Sequence, residues 1–143
     1  MLKLHLFRVL VVFTLLIFAG SCNKSQQQTI PDVFVNFSVN TTSAQYSNLS
    51  PVGGWVYVTG GYRGILLYHL SIDEFLAYDR ACPFDYQKPT AQVKMEASGI
   101  TMIDSTCGSR YIVLDGSPFA GPAKNSLKQY RTSYEGGQLY VFN

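Results

Sequence analysis

A chain of 143 residues has room for one domain and a short leader. Aromatic residues make up 14% and charged residues only 14%, which excludes a disordered polyelectrolyte and points to a compact, aromatic-rich core. The formal net charge is +2, but Lys3 and Arg8 belong to the leader, so the rest of the chain is formally neutral; with no basic stripe, a nucleic-acid partner is not expected.

In chain order, Met1 to Lys3 and Arg8 form a short positive region. Val9 to Ala19 is an apolar run, broken only by Thr14 and too short to anchor stably across a bilayer. It ends at Ala19-Gly20-Ser21-Cys22. Small residues before a cysteine at the end of such a run resemble the lipobox of bacterial lipoproteins, although Ala19 stands where Leu is commoner. The alternative is an ordinary secretory signal with a chance cysteine. The resemblance implies a signal peptide over residues 1–21 and lipidation of Cys22 as the new N-terminus. A polar tether over 22–30 and a domain over 31–143 would follow. That domain would be lipid-anchored in the bacterial cell envelope, facing the periplasm or the exterior, where disulfides form and persist.

Val33, Val35, Phe37 and Val39 alternate with polar residues, the period-2 pattern of a half-buried strand. Pro51 and Gly53-Gly54 close a loop before a strand over Trp55 to Val58, and Gly60-Gly61 turns the chain into Ile65 to Leu70. Asp73 opens a further strand, Phe75 to Tyr78. After a loop rich in Pro and Cys come Gln92 to Ala97 and Ile100 to Ile103, joined at Ser98-Gly99 as a tight hairpin. Tyr111 to Leu114, Tyr130 to Tyr134 and Gln138 to Phe142 complete the series, the last two joined through Glu135-Gly136-Gly137. No ten-residue stretch has helical periodicity. Short strands at this spacing predict an all-β antiparallel sandwich or barrel.

Two segments hold the chemistry: Tyr78-Asp79-Arg80-Ala81-Cys82-Pro83-Phe84-Asp85, and Asp104-Ser105-Thr106-Cys107-Gly108-Ser109-Arg110-Tyr111. The second runs on through Asp115-Gly116 and Gly121-Pro122-Ala123 to Leu127 and Tyr130. Together they resemble the Rieske [2Fe–2S] domain. That family carries a Cys-x-His loop, a later Cys-x-x-His-Gly-Ser loop followed by an aromatic strand, then Gly-Pro-Ala and Leu-x-x-Tyr. The resemblance spans roughly residues 50 to 143 and is nearest to small Rieske-like lipoproteins of bacteria. It implies two cysteine-bearing loops meeting at one end of the domain.

A Rieske centre needs two thiolates on one iron and two imidazoles on the other. Here Cys82 matches the first cysteine, but Phe84 stands at the first histidine. Anchoring on Gly108-Ser109 puts Asp104 at the second cysteine and Cys107 at the second histidine; sliding the register puts Arg110 at that histidine instead. The chain has two histidines, and His5 leaves with the signal. His69 alone cannot complete the set, so Cys82, Phe84, Asp104 and Cys107 read as degenerate ligand positions and no two-iron cofactor is expected.

The resemblance then implies that Cys82 and Cys107 lie close together. A disulfide between them is the first expectation, stabilising by about 3 kcal/mol in the chain-entropy model. The alternatives are a modified [2Fe–2S] centre or another metal at Cys82 and Cys107, with Asp104 and an unidentified fourth ligand, or a redox-active pair. Elsewhere, Asp73, Glu74 and Asp85 read as single carboxylates, and Ser105 and Ser109 lack a base. Asp79 and Arg80 read as a solvated charge pair, and His69 as a packed or surface strand residue. Phe84, Tyr86, Tyr111 and Phe119 either fill the vacated cluster site or form a patch for an envelope protein partner. The expected function is a non-enzymatic binding or structural module; electron transfer through a modified centre is the alternative.

Overall fold

The computed structural model describes residues 30–143; the leader, Cys22 and the tether through residue 29 lie outside the described residues. The chain forms β1 (Asn36–Asn40), a short 3-10 helix (Ala44–Leu49), β2 (Trp55–Val58), β3 (Ile65–Ser71), β4 (Glu74–Asp79) and β5 (Val93–Met95). It continues through β6 (Thr101–Asp104), β7 (Arg110–Ile112), β8 (Pro118–Ala120), β9 (Gln129–Glu135) and β10 (Gln138–Phe142). The expectation of an all-β fold is met. A six-stranded antiparallel sheet runs β1-β10-β9-β4-β3-β2, and a four-stranded sheet runs β5-β6-β7-β8.

Residue alternation along β3 explains how the two sheets are assembled. Successive side chains of a strand point to opposite faces, and here both faces are buried. Ile65 and Leu67 join Phe75, Ala77, Tyr130, Leu139, Val141 and Leu49 in one core, to which Phe37 of β1 and Val58 of β2 also belong. Both edge strands of the large sheet thus contribute to the same core, which requires the sheet to curl around it. Leu66 and Tyr68 point the other way and join Tyr78, Val93, Met102, Tyr111 and Val113 in the second core, between the sheets. Ile65, Leu66 and Leu67 are 0–1% exposed, and each such burial stabilises by about 1.5–3 kcal/mol.

Two short elements were not expected from sequence. The 3-10 helix has only Leu49 buried, and six residues are too few to display a helical period. Strand β8 is three residues long and starts at Pro118 on the edge of the small sheet, where a missing N–H is tolerated. The first strand begins at Asn36 rather than Val33. Upstream of it, Val35 is tied instead to Asn143, whose Oδ1 accepts from the Val35 N–H at 2.8 Å. The Ser98-Gly99 turn and the Gly136-Gly137 turn fall where expected, between β5 and β6 and between β9 and β10.

Candidate metal centre

The site grows out of the ends of β4 and β6. The loop after β4 is pinned at its root by Asp79, a fully buried carboxylate. Its Oδ2 accepts from the Tyr62 N–H at 2.5 Å and from the Tyr130 hydroxyl at 2.8 Å. Its Oδ1 accepts from the N–H groups of Arg63 at 3.1 Å and Ala81 at 2.9 Å. Asp79 and Arg80 therefore do not form the solvated pair expected from their adjacency. Asp79 is consumed by four donors, while Arg80 is buried with its Nε donating to the Val93 carbonyl at 3.0 Å and its guanidinium 3.6 Å over the Tyr57 ring.

Beyond that anchor, Cys82 opens a turn in which the Asp85 N–H donates to the Cys82 carbonyl at 3.3 Å. The second loop is the tight connection between β6 and β7. The Asp104 N–H donates to Ser109 at 2.9 Å, and the Gly108 N–H to Asp104 at 2.8 Å. Asp104 Oδ1 accepts from the Thr106 N–H at 2.8 Å, an Asx-turn. Gly121 backs this loop with φ +85; a Cβ there would lie 2.5 Å from the Ser109 Cα and 2.7 Å from the Gly108 carbonyl oxygen. The Thr106 hydroxyl ties the loops together by donating to the Thr90 carbonyl at 2.8 Å.

Their convergence brings Cys82 Sγ and Cys107 Sγ to 3.5 Å. The sulfurs are close but not bonded, so the bridge expected between them is not formed: a disulfide needs about 2.05 Å. Each sulfur has other company. Cys82 Sγ shares a hydrogen bond with the Tyr111 hydroxyl at 3.2 Å. Cys107 Sγ donates to Ser109 Oγ at 3.0 Å and lies 3.4 Å from Asp104 Oδ2. Asp104 is fully buried beside them.

A fourth side chain completes the group. One carboxylate oxygen of Asp85, the sulfurs of Cys82 and Cys107 and one oxygen of Asp104 all lie within 4.8 Å of one another. Asp85 pairs with Lys88 through Oδ2 at 3.3 Å, while its Oδ1 is buried with no hydrogen-bond partner among the described residues. Sequence reasoning treated Asp85 as a lone carboxylate. The signal that marks it is the mirrored spacing Cys82-x-x-Asp85 and Asp104-x-x-Cys107, a donor pair on each loop.

Burial pushes the Cys82 thiol well above its ordinary range, against the smaller pulls of the Tyr111 hydroxyl and the Phe84 backbone. With no cation beside it, such a sulfur stays protonated and is a poor nucleophile. The Tyr111 hydroxyl is also raised, by burial first and by its bond to Cys82 second. Phe84 is 47% exposed and Phe119 51% exposed, so neither fills the position of a lost ligand. It is Tyr111, fully buried, that reaches the cysteines.

His69 stands apart from this end. It pairs with Phe75, four residues along β3 from Ile65, whose partner Asp79 leads into the site. That separation is roughly 13 Å at the usual strand rise. Its ring stacks on Phe75 at 4.3 Å, and Nδ1 donates to the carbonyls of Leu49 and Ser50 at 3.0 and 3.1 Å. Among the described residues no other imidazole exists, so these residues do not fit a Rieske cluster.

No protein-family model matches the chain. No curated protein matches it. Among solved structures, it is similar to a chain of the "Complex of reduced oxygenase and oxidized ferredoxin in carbazole 1,9a-dioxygenase", with a TM-score of 0.50 and 17% identity. The match covers 78% of this chain and 94% of that one. The fold is Rieske-like. At that identity the likeness extends to the β architecture alone. The Rieske-like scaffold here presents two thiols and two carboxylates at its loop end.

Proposed function

We propose that the chain is a lipid-anchored, non-enzymatic domain of the bacterial cell envelope that uses a Rieske-like scaffold without a two-iron cluster. Its working end is the pair of loops bearing Cys82 and Cys107. The observation that carries this reading is the composition of that end: thiols and carboxylates, with the single described imidazole committed to Leu49 and Ser50. Among the described residues no imidazole stands beside Ser109 to serve as its base. The Ser109 Oγ is already committed, accepting from the Ala123 N–H at 3.1 Å and from Cys107 at 3.0 Å. Envelope anchoring is supported by the Ala19-Gly20-Ser21-Cys22 sequence at the end of the apolar leader.

The test has two parts. Expressed in a bacterium with labelled fatty acid, the full chain is expected to incorporate label and sediment with membranes. The Cys22→Ser variant is expected to do neither. The purified protein is expected to lack paired iron and acid-labile sulfide. An unlabelled wild-type chain refutes the anchor, and iron with sulfide at two each per chain refutes the cluster-free reading.

A further inference from the structure

We infer that Cys82, Asp85, Asp104 and Cys107 bind a single divalent metal ion with the preferences of zinc. This deepens the cluster-free reading above and rests on it.

The first support is size. An ion with about 2.3 Å to sulfur and about 2.0–2.2 Å to carboxylate oxygen, held tetrahedrally, places its sulfurs roughly 3.8 Å apart and its other donors slightly closer. Cys82 Sγ and Cys107 Sγ are separated by 3.5 Å, Cys107 Sγ and Asp104 Oδ2 by 3.4 Å, and the whole set spans no more than 4.8 Å. The two individual separations fit the shell of one ion, and the remaining donors lie within about an ångström of it. A two-iron unit would need its donor pairs spread further.

The second support is the state of Asp85. Its side chain is 5% exposed, and Oδ1 finds no donor among the described residues. A buried carboxylate oxygen left unpaired is destabilising, and buried charges in proteins are paired or coordinate metals. One cation placed among the four clustered donors would give that carboxylate a partner. Moreover, each of the four residues already has a further partner that orients it, Ser109 Oγ lying 3.0 Å from Cys107 Sγ. Tyr111 holds Cys82, the Thr106 N–H holds Asp104 Oδ1, and Lys88 holds Asp85 Oδ2. Such outer contacts orient metal ligands and tune them. Lys88 also offsets part of the negative charge that two thiolates and two carboxylates bring to a divalent ion.

The third support is the chain itself. A donor-x-x-donor pair on each of two loops, with 18 residues between the pairs, is the spacing of structural zinc sites built from four cysteines. Here each loop contributes one sulfur and one carboxylate, in mirrored order. Two thiolates and two carboxylates suit a borderline ion that accepts tetrahedral geometry. Binding converts both thiols to thiolates, releases two protons to solvent and involves no change of oxidation state.

The test uses the full chain, purified from membranes in detergent with a thiol reductant, stripped with chelator and titrated with cobalt(II) as the spectroscopic probe. One equivalent is expected to produce thiolate-to-cobalt charge-transfer absorption with the intense visible bands of a tetrahedral site, and zinc is expected to bleach both. Asp85→Asn is the cleanest variant, because Asp104 also holds its own turn. Asp85→Asn and Cys107→Ser should each weaken binding by about tenfold or more, since even outer-contact losses cost that much, while Asp73→Asn should leave it unchanged. Circular dichroism confirms that the variants are folded. Absence of thiolate-to-cobalt absorption in the reduced wild type overturns the inference, as does undiminished affinity in folded Asp85→Asn. So does a metal-free chain isolated from the envelope with Cys82 and Cys107 bridged, read by mass before and after alkylation. Those results leave the cluster-free reading standing, whereas two irons with two sulfides overturn both.

Discussion

Replacing Asp79 by asparagine should destabilise the fold by about 3–4 kcal/mol. Asp79 accepts four hydrogen bonds in a fully buried position, three from backbone N–H groups and one from the Tyr130 hydroxyl. Hydrogen bonds to a charged acceptor contribute about 1.5–3 kcal/mol each, though not additively. Asparagine keeps one acceptor oxygen for two of these donors and turns an NH₂ group toward the other two, so about half the network becomes repulsive. For a domain of this size, with about 4 °C lost per kcal/mol, the melting temperature should fall by about 12–16 °C. Thermal unfolding followed by circular dichroism, in reductant at neutral pH, reads this directly. Tyr130→Phe removes a single donor and should cost about 1–2 kcal/mol. Because the two side chains touch, the double variant should depart from additivity by at least about 0.5 kcal/mol. A loss below about 1 kcal/mol for Asp79→Asn, or strict additivity with Tyr130→Phe, would refute the account of this network.

Three further outcomes are expected. Tyr78 has a buried hydroxyl with no partner among the described residues, so Tyr78→Phe should be neutral or up to about 1 kcal/mol more stable in urea unfolding, opposite in sign to Tyr130→Phe. Burial pushes the Tyr78 hydroxyl up to about 12, and those of Tyr111 and Tyr130 are raised as well, burial again being the largest cause. An unfolded tyrosine ionises near pH 10, so this stability is fully present below about pH 10 and is lost as pH rises toward and beyond 12. Urea midpoints against pH, read beside phenolate absorbance, should fall in that window; these tyrosines ionising with the exposed ones while the fold persists would contradict it. Gly121→Ala should cost about 3 kcal/mol or more, from its φ of +85 and the backbone of the second cysteine loop 2.5 Å from the new Cβ. Gly99→Ala, at φ +70 with open space around it, should cost only about 1–2 kcal/mol in the same melting assay.

Much of the architecture was legible before any coordinates. Turn residues flanking short apolar and aromatic runs located β2, β3, β4, β9 and β10 to within a residue or two, because the chain reverses where Gly, Pro and Asp permit it. Strand β8 was not legible, since three residues beginning with proline carry no period. Asp79 and Arg80 were misread because adjacency says nothing of burial. Only the folded chain shows that four donors surround one side chain while a tyrosine ring covers the other. Asp85 was overlooked for a related reason: its neighbour Phe84 occupies the position at which a family ligand would be sought.

The sequence by itself determined that the domain is all-β, that two cysteine-bearing segments flank an intervening hairpin, and that two imidazoles are not available in the domain for a Rieske cluster. These follow from local periodicity and from counting, neither of which needs a third dimension. Tertiary structure decided the rest. Curling of the six-stranded sheet and stacking of the four-stranded sheet bring the ends of β4 and β6 together, across the 24 residues of chain between Asp79 and Asp104, so that two sulfurs and two carboxylates lie in one small volume. Proximity of that kind depends on how two sheets pack, and packing is a property of the whole core rather than of any segment within it.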